Sequence, residues 1–337
     1  MINVGIISLG FMGLTHYRSY QQIPGAKVIA IADSDPRRTR GDLTGMWGNI
    51  GPAAQATLPM EDIRGMTDYR ELLAMPEVDV VDVCVPTTLH PQIAIEALNS
   101  GKHVLCEKPL ALTSAEAQRI ADAAASAKGL FMPAQCIRFW PQWAWAKRAI
   151  EENTYGKVLG ATFQRVCSIP AGDWYKIGEK SGGAILDLHI HDTDFVCYLF
   201  GKPNVVSSRG YAGPSGKIDH VMTQYLYDDV PLVNAEGGWA FSEGFGFAMR
   251  YRINFERATV EYDSGRADPL MLYIAGNAKP IDCGGSDGYV EELKYFIQCI
   301  EKNTPPSIVT AEDAVRSIRV IEAERQSVES GTPMPVR

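Results

Sequence analysis

The sequence lacks the features that mark nucleic-acid-binding and membrane proteins. Its 337 residues carry a formal net charge of −8 and contain no block of clustered lysine and arginine, the side chains that hold a phosphate backbone. No apolar run approaches the roughly 20 residues that a membrane helix needs, and the chain begins without a basic leader. We therefore expect a soluble, cytoplasmic protein whose partners include neither nucleic acid nor membrane.

The cysteines do not form a recognisable framework. The sequence has 7 of them, an odd number, widely spaced and without a C-x-x-C pair, which argues against a disulfide scaffold and against zinc or redox chemistry. Most lie among apolar neighbours, so we expect them to be reduced and to pack as small apolar side chains.

The sequence does contain enough apolar material for more than one core. Hydrophobic residues make up 46% and charged residues 21% of a chain that is longer than one core usually spans. We therefore expect two domains, residues 1–135 and residues 136–337, because the hydrophobic pattern changes shortly after that boundary.

The first 35 residues predict a βαβ unit. Residues 2–9 form a short apolar run with β-branched side chains, as expected for a parallel strand that is buried on both faces. A glycine turn at residues 10–13 leads into a helix that ends near Tyr20, and residues 28–32 predict a second strand that ends at Asp33.

The glycine turn matches the dinucleotide fingerprint G-x-G-x-x-G with one departure. Ser8 stands where the first glycine is expected, so a residue with a Cβ must make the tight turn, whereas Gly10 and Gly13 are present. Asp33 follows about twenty residues later, where an acid hydrogen-bonds the adenosine ribose and repels a 2′-phosphate. NAD(H) is therefore favoured over NADP(H) as the cofactor.

Two arginines after Asp33 leave an alternative open. Arg37 and Arg38 either form a solvated first helical turn after Pro36 or bind a phosphate, and the first interpretation is slightly preferred. Arg38 and Ser34 stay among the candidate cofactor contacts.

Further strand ends of the first domain carry polar residues. Ligands of open parallel sheets bind beyond the carboxyl ends of the strands, so these ends should converge on one crevice with the glycine turn. The predicted strands are residues 79–86, 103–106 and 130–134, and the helices are residues 91–100 and 114–128. Residues 41–66 predict a helix end and a loop without chemistry. The candidate cofactor-binding residues are Ser8, Gly10, Phe11, Met12, Gly13, Asp33, Ser34, Arg38, Pro86, Thr87, His90, Glu107, Lys108 and Arg138.

One strand end carries a charged motif that folding alone does not require. Glu107, Lys108 and Pro109 follow the apolar run at residues 103–106, at the point where the strand would leave its sheet. Lys108 is therefore expected in the cofactor cleft. Glu107 either hydrogen-bonds the cofactor or neutralises the lysine, and Pro109 fixes the turn, for which a cis Lys108–Pro109 bond is one means.

The second half of the chain predicts a mostly antiparallel sheet. Apolar and polar residues alternate at residues 247–255, which is typical of a strand with one wet face. About six such strands leave one face to be covered by a helix or by a partner subunit. The predicted strands are residues 158–167, 205–211, 220–227, 247–255, 258–262 and 270–275, and the helices are residues 142–152, 288–301 and 311–329, of which the last could pack back on the first domain.

A second cluster of reactive side chains follows two glycines at residues 182–183. If the next residues form one helix, Asp187 and His191 are one turn apart on the same face and His189 points elsewhere. A satisfied polar pair would explain this pattern, but an acid and a histidine behind two glycines favour a functional site. A metal site with Asp187, His189 and His191 as ligands is disfavoured, since no further ligand cluster completes the shell.

Together these motifs resemble one known family. The glycine turn, the Glu107-Lys108-Pro109 motif, the Arg138-Phe139-x-Pro141 segment and the Gly182-Gly183-x-x-x-Asp187-x-x-x-His191 pattern are similar to those of the glucose-fructose oxidoreductase / inositol dehydrogenase / MocA (Gfo/Idh/MocA) family. The resemblance spans almost the whole chain. The E-K-P motif is the most specific signature, and the glycine–aspartate–histidine pattern is an independent one.

The resemblance implies an α/β Rossmann dinucleotide-binding domain and an α+β domain with a large, mostly antiparallel open sheet. That sheet commonly forms the dimer surface, so a homodimer or homotetramer is implied. Lys108 would lie beside the nicotinamide and the substrate hydroxyl, and Asp187 and His191 would complete the catalytic and substrate-binding set without a metal. Ser8 departs from the family pattern, as does the Pro86-Thr87-Thr88 segment before His90.

The expected function is hydride transfer between NAD(H) and a secondary alcohol or ketone of a sugar, sugar derivative or cyclitol. His191 suits the role of base because a histidine ordinarily has a pKa of about 6.5, while Lys108 could stabilise the alkoxide or accept the proton itself. Trp174 and other aromatic side chains of the second domain could stack on a sugar or simply pack. Two alternatives are an NAD-retaining glycosidase or lyase that works by transient oxidation, and a non-catalytic dinucleotide-binding regulator.

Overall fold

The structure, a computed structural model, describes residues 1–45 and 57–337, which form two compact units. The first unit comprises Met1–Ala111, Ala115–Cys136 and Ser286–Val315, and the second comprises Leu112–Ser114, Ile137–Gly285 and Arg316–Arg337. Residues 286–315 thus group with the first unit, whereas the sequence suggested such a return only for the last predicted helix. As a statement about functional domains, the boundary after residue 135 stays a prediction.

Strands and helices alternate in the first part of the chain, and strands dominate the second part. The first part contains β1 (Ile2–Ile7), α1 (Phe11–Tyr20), β2 (Ala26–Ala32), β3 (Arg64–Met66), α2 (Tyr69–Leu73), β4 (Val80–Val83), α3 (His90–Asn99), β5 (His103–Glu107), α4 (Ser114–Ser126) and β6 (Phe131–Ala134). The second part contains α5 (Pro141–Glu151), β7 (Val158–Ser168), α6 (Gly178–Ser181), α7 (Ala184–Asp187), α8 (Ile190–Phe200), β8 (Val205–Ala212), β9 (Ile218–Leu226), β10 (Val233–Phe241), β11 (Phe247–Phe255), β12 (Thr259–Asp263), β13 (Leu270–Ile274), β14 (Asn277–Pro280), α9 (Gly288–Glu301), α10 (Ala311–Ser330) and β15 (Met334–Pro335).

The first unit contains a six-stranded sheet in the order β3-β2-β1-β4-β5-β6, in which all neighbours are parallel. This order is that of a Rossmann dinucleotide-binding fold and confirms the predicted α/β class. The sequence prediction missed β3, because three residues are too few to carry a periodic pattern. The predicted loop at residues 41–66 is therefore partly wrong, and its central part, residues 46–56, lies outside the described residues.

Close packing on this sheet explains one glycine and the return of the late helix. A Cβ on Gly5 of β1 would lie 2.7 Å from Cδ2 of Leu72, which is fully buried, so glycine allows α2 to pack against the strand. Helix α1 packs against α9, which brings residues 286–315 into the first unit. Because all six strands run in the same direction, the residues that follow β1, β2, β4 and β5 lie along one edge of the sheet.

The second unit contains a nine-stranded sheet in the order β14-β13-β12-β11-β7-β10-β9-β8-β15. All neighbours are antiparallel except β10 and β7, which confirms the predicted, mostly antiparallel sheet. Strand β10 was missed because Gly237 and Gly238 lower its strand propensity. Both glycines are required by close approach, since a Cβ on Gly237 would lie 2.5 Å from Nδ1 of His189 and one on Gly238 would lie 2.6 Å from the Asp219 carbonyl oxygen.

Helices of the same unit cover one face of this sheet. Residues of β11 alternate between buried and exposed, as the sequence predicted. On the buried face the ring of Trp143 from α5 lies 5.2 Å from that of Tyr251, and Phe195 from α8 lies 5.9 Å from Phe163. The opposite face presents exposed side chains such as Arg250 and Arg252.

Two further observations concern residues 1–45 and 57–337 alone. None of their helices combines the length and the hydropathy that a bilayer crossing requires. No disulfide links their cysteines, and all of these except the half-buried Cys283 are buried.

Candidate active site

The glycine turn lies between β1 and α1 and begins with a strained serine. Ser8 has a φ of 74°, the left-handed conformation that the fingerprint normally assigns to glycine. A Cβ on Gly13 would collide with the Ser8 carbonyl oxygen, so this glycine is needed for α1 to leave the turn. A Cβ on Gly10 would meet nothing closer than the Ser8 hydroxyl at 3.8 Å, so the space in front of the helix is open.

The start of α1 has the properties of an anion site. Its first turn contains no acidic side chain, and no side chain caps Gly10 at the N-cap position. The N–H groups of the residues that follow Gly10 therefore have no side-chain cap, and the helix dipole adds positive potential at this end. A pyrophosphate group fits this arrangement.

Asp33 follows β2 at the same edge of the sheet and organises the turn. Its carboxylate accepts the Leu9 N–H at 2.7 Å and the Asp35 N–H at 2.8 Å. Each oxygen retains a second lone pair, so both can still accept from ribose hydroxyls. Arg38 donates to the Leu9 carbonyl oxygen at 3.3 Å and so lies beside this position.

Arg37 has a different environment from Arg38. Its guanidinium pairs with the Asp35 carboxylate at 2.7 Å on the exposed surface. Hydrogen bonds from Arg37 lower the pKa of Asp35 to about 2. The solvated interpretation therefore suits Arg37.

Segment 86–90 follows β4 and is fixed by a buried histidine. The two ring nitrogens of His90 each lie 2.8 Å from a backbone carbonyl oxygen, that of Val85 and that of Pro109. Thr87 is buried at the start of the 3-10 turn that precedes His90, whereas Pro86 is exposed. His90 therefore connects the segments that follow β4 and β5.

The Glu107-Lys108-Pro109 motif ends β5 and begins a cis turn. The Lys108–Pro109 bond is cis, as the sequence suggested. Glu107 is buried, and its Oε2 accepts the backbone N–H of Lys108 at 2.9 Å. The Lys108 side chain is half-buried. Glu107 thus holds the lysine through its backbone.

The glycine–aspartate–histidine segment of the second unit departs from the single helix that was predicted. Helix α7 ends at Asp187, and α8 begins at Ile190, because the His189 N–H bonds to the Ala184 carbonyl oxygen five residues back. The expectation that Asp187 and His191 share a face through one continuous helix is therefore wrong. Both side chains are half-buried.

Two glycines and a buried carboxylate set the geometry of this segment. Gly182 and Gly183 both have φ near +77°, with values of 76° and 77°. Oδ1 of the buried Asp219 accepts the Ala184 N–H at 3.1 Å, which caps α7. The buried His189 side chain contacts two other residues: its Nε2 lies 3.1 Å from Glu324 Oε2 and 3.3 Å from the Tyr225 hydroxyl.

Asp187 has an aromatic and a thiol neighbour. Burial, together with the Asp187 carboxylate, raises the pKa of the Cys167 thiol to about 11 and also raises the pKa of Tyr175. Trp174 packs edge-on against Tyr175 with ring centroids 5.0 Å apart, and its indole N–H is buried without a hydrogen-bond partner. Trp143 and Trp239, by contrast, are fully buried and serve packing.

Arg138 is part of the core of the second unit. Its guanidinium is 1% exposed and pairs with Asp194 of α8 through two hydrogen bonds of 2.8 and 2.7 Å. Ser317 donates a further hydrogen bond to the same carboxylate at 2.8 Å. The predicted contact of Arg138 with the cofactor stays a prediction beside this structural role.

Sequence comparison identifies both parts of the chain. A family model described as "Oxidoreductase family, NAD-binding Rossmann fold" matches residues 2–135. A second, described as "Oxidoreductase family, C-terminal alpha/beta domain", matches residues 147–336. The chain belongs to the Gfo/Idh/MocA family.

Several Gfo/Idh/MocA relatives have names that state an activity. The chain is 28% identical to myo-inositol 2-dehydrogenase of Thermotoga maritima, covering 97% of this chain and 96% of the relative. It is 27% identical to levoglucosan dehydrogenase of Pseudarthrobacter phenanthrenivorans, covering 82% and 77%. A solved levoglucosan dehydrogenase in complex with NADH and L-sorbose superposes with a TM-score of 0.83 at 24% identity, covering 100% and 99%, which shows the shared fold.

Membership of the Gfo/Idh/MocA family makes the protein an NAD-binding oxidoreductase. Within the first unit the structure brings the glycine turn, Asp33 and the ends of β4 and β5 to one sheet edge, as predicted. Trp174, Asp187, His191 and Arg138 belong to the second unit. The individual roles of all these residues stay predictions.

Sequence reasoning missed a buried network behind the E-K-P motif. His16 on α1 lies between Asp82 of β4, 2.9 Å from Nδ1, and Glu107, 3.1 Å from Nε2. Burial alone would lower the pKa of His16, but the Asp82 carboxylate and Cys84 raise it well above 6.5. The available signal was Asp82 itself, a charged residue within an otherwise apolar strand.

Proposed function

We propose that the protein transfers hydride between NAD(H) and a secondary alcohol or ketone of a sugar, sugar derivative or cyclitol. The observation that carries this proposal is the common sheet edge of the first unit. That edge holds an anion-binding helix start, an acid after the second strand and a lysine on the end of β5. The names of the inositol and levoglucosan dehydrogenases among the relatives support the substrate class.

Residues of the first unit would hold the cofactor. The turn from Ser8 to Gly13 suits the pyrophosphate, and Asp33 suits the adenosine ribose. A carboxylate at this position repels a 2′-phosphate, which supports NAD(H) over NADP(H). Arg38 lies next to Asp33 and would contact the adenosine side.

Lys108, Asp187 and His191 form the proposed catalytic set. When bound, the nicotinamide supplies the hydride acceptor or donor. His191 takes the hydroxyl proton of the alcohol and Asp187 orients its ring, while the Lys108 ammonium stabilises the alkoxide charge that develops. Proton acceptance by Lys108 is the alternative assignment within the same set.

Trp174 is the proposed sugar-facing aromatic side chain. It is partly exposed and belongs to a cluster with Tyr175, which lies close to Asp187. Its buried indole N–H without a partner is consistent with a position completed by a ligand hydroxyl. Trp174→Phe should therefore raise KM for the sugar more than it lowers kcat.

The open face of the nine-stranded sheet supports a homodimer or homotetramer. This face has a depression of about 390 Å³ lined by side chains that include Gln164, Glu236 and Arg252. Large apolar side chains are exposed on the same face of β9, among them Met222 at 55% and Leu226 at 40%. Sedimentation equilibrium tests this part, and a monomer at micromolar concentration would contradict it. A cytoplasmic location stays a prediction.

The decisive experiment follows reduced-nicotinamide absorbance with a panel of sugars, inositols and sugar acids, each with NAD⁺ and NADP⁺. We expect turnover with NAD⁺ and at least one polyol, and loss of about 100-fold or more in kcat for Lys108→Ala and for His191→Ala. Lys128→Ala, on an exposed lysine of the same unit, is the control. Near-normal turnover of either site variant would remove its assigned role.

Silence across the whole panel would favour a different class. NAD that survives purification, with bond cleavage and no net NADH, would indicate an NAD-retaining glycosidase or lyase. NADH binding without any turnover would indicate a dinucleotide-binding regulator.

A further inference from the structure

The first unit contains a buried charged network that the proposed chemistry does not use. The His16 network consists of Asp82, Cys84, His16 and Glu107. Asp82 and His16 are completely buried, and Glu107 is 5% exposed. Burying several ionisable groups costs free energy unless they compensate one another, so their presence here requires an explanation.

The geometry of the network places the His16 ring between two carboxylates. The Nδ1 of His16 lies 2.9 Å from Asp82 Oδ2, and its Nε2 lies 3.1 Å from Glu107 Oε1. Nδ1 forms a hydrogen bond with Asp82, whereas Nε2 lies at ion-pair distance from Glu107 without hydrogen-bond geometry. The Asp82 carboxylate and Cys84 raise the pKa of His16 well above 6.5, which favours the imidazolium form between the two carboxylates.

Cys84 completes the network as a thiol. Its Sγ lies 3.3 Å from Asp82 Oδ1, as a donor, and 3.5 Å from His16 Nδ1. Burial raises the pKa of this thiol. The group is thus explained by hydrogen bonds and ion pairs among its own members.

The network connects two elements of the proposed site. His16 lies on α1, three residues after Gly13 and thus on the helix that begins at the glycine turn. Glu107 contacts His16 through Oε1 and accepts the Lys108 N–H through Oε2 at 2.9 Å. A continuous path of contacts therefore runs from the strand residue Asp82 through the helix to the backbone of Lys108.

Stability alone does not account for this path. A buried ion pair or triad typically stabilises a fold no more than apolar side chains of the same volume would. Ion pairs do impose direction, because both partners must keep their relative positions. The carboxylate in contact with His16 is also the one that holds the backbone of the proposed catalytic lysine.

We infer that His16 is a positioning residue for Lys108: held by Asp82, it fixes the Glu107 carboxylate, and Glu107 fixes the backbone from which the lysine side chain extends. This inference rests on the proposed function, in which Lys108 acts on the substrate hydroxyl. His16 and Asp82 touch neither substrate nor cofactor in this assignment.

The test compares His16→Gln with a matched histidine variant. His103→Gln is the control, because His103 lies at the opposite end of β5 and its Nδ1 accepts the Leu130 N–H. We expect His16→Gln to lower kcat by on the order of 10- to 100-fold, as misplacement of a catalytic group does. NADH affinity, measured by fluorescence titration, and KM should change less than about threefold, and His103→Gln should leave kcat unchanged.

A purely structural role would give a different result. It would lower the unfolding temperature of His16→Gln while the folded fraction kept normal kcat, and that outcome would overturn the inference. If His16→Gln does not fold, Glu107→Gln replaces it, since the amide keeps an oxygen for the Lys108 N–H but removes the charge that pairs with His16. The same selective loss of kcat is expected.

A double-mutant cycle separates this inference from the proposed function. If His16 acts through Lys108, then His16→Gln should have almost no further effect on kcat in the Lys108→Ala background. Equal losses in both backgrounds would overturn the positioning role while leaving the role of Lys108 intact. Normal kcat of Lys108→Ala by itself would instead reject the proposed role of the lysine, and the positioning role with it.

Discussion

Ser8 shows how a single residue can depart from a fingerprint and still be accommodated. With a φ of 74° it adopts the conformation that glycine would adopt without strain. The left-handed conformation destabilises a residue with a Cβ by about 1–2 kcal/mol. Glycine avoids this strain, but it increases the entropy of the unfolded chain, which destabilises the fold by about 0.4–1 kcal/mol. The turn therefore has its expected shape at a cost in stability.

We expect Ser8→Gly to stabilise the protein by about 0.5–1 kcal/mol, the difference between these two effects, and to raise the unfolding temperature by roughly 1–3 °C. Differential scanning calorimetry measures this. Ser100→Gly is the control, because Ser100 has an ordinary φ of −75° and should be destabilised by the change. A lower unfolding temperature for Ser8→Gly would mean that the Ser8 hydroxyl contributes more than the strain costs.

Asp33 is the residue that we propose discriminates between the two nicotinamide cofactors. Asp33→Asn keeps an oxygen that can accept the Leu9 N–H but removes the charge that repels a 2′-phosphate. We expect the affinity for NADPH relative to NADH to rise about tenfold, which corresponds to about 1.4 kcal/mol of removed repulsion. Fluorescence titration of both cofactors measures the ratio.

The control for this change is Asp35→Asn, whose carboxylate already pairs with Arg37. It should leave the ratio of affinities unchanged. A constant ratio in Asp33→Asn, with NADH binding intact, would contradict the assignment of Asp33 to the ribose.

At the scale of single residues, the sequence drew attention to polar residues at strand ends, but it did not reveal the buried His16 network that contacts them. Lys108 was selected as a candidate because its charge follows an apolar strand directly. His16 was missed because a histidine on the buried face of a helix is usually a satisfied core residue. Only the fold shows that Asp82 and Glu107, which are 25 positions apart, reach the same ring.

Helix α8 buries three consecutive polar residues, which is unusual for one element. Asp192, Thr193 and Asp194 are all at most 1% exposed. Asp192 pairs with Arg165 at 2.8 Å, Asp194 pairs with Arg138 at 2.7 Å, and the Thr193 hydroxyl bonds to that of Tyr225 at 2.9 Å. Each polar group thus has its own partner, and the helix is fixed on three sides.

We expect Asp194→Asn to destabilise the protein by about 3–5 kcal/mol, because it removes the buried carboxylate charge that pairs with the Arg138 guanidinium. The unfolding temperature should fall by roughly 10 °C in thermal unfolding followed by circular dichroism. Glu179→Gln is the control, since it removes only an exposed ion pair with Lys217 and should lower the unfolding temperature far less. Similar shifts in the two variants would show that the Arg138–Asp194 pair is not energetically special.

The elements that the sequence predicted wrongly are those that depend on a distant neighbour. The helix after Gly183 is interrupted at Leu188 and His189, where the His189 ring approaches Gly237 of β10 and Glu324 of α10. Strand β10 was missed because of its glycines, one of which, Gly237, is required by the close approach of His189. Local periodicity contains neither fact, because both depend on residues about 50 and 135 positions away from His189.

For the whole molecule, the parallel sheet could be predicted in more detail than the antiparallel one. Five of its strands were predicted from short apolar runs in a chain that alternates with helices, a pattern that indicates a doubly wound parallel sheet. The nine-stranded sheet gives no such constraint, since β15 joins β8 from the end of the chain and β10 runs parallel to β7. Chain order alone does not determine those pairings.

The His16 network also predicts how stability depends on pH. The pKa of folded His16 is raised well above 6.5, so its contribution is complete below about pH 6.5 and is lost as the pH rises through the folded value. Each unit of the raised pKa corresponds to about 1.4 kcal/mol. The wild-type protein should therefore lose stability as the pH rises above about 7.

A variant that lacks His16 and its two carboxylate partners isolates the contribution of His16 to the pH dependence of stability. His16→Gln combined with Asp82→Asn and Glu107→Gln replaces these three charged groups by amides of similar size. The unfolding temperature of the wild type should fall more steeply over this pH range than that of the triple variant, because only the wild type loses a buried proton from His16 on alkalinisation. His103→Gln should follow the wild-type curve, since it leaves the network intact. Parallel curves for the wild type and the triple variant would show that His16 is not protonated in the folded state.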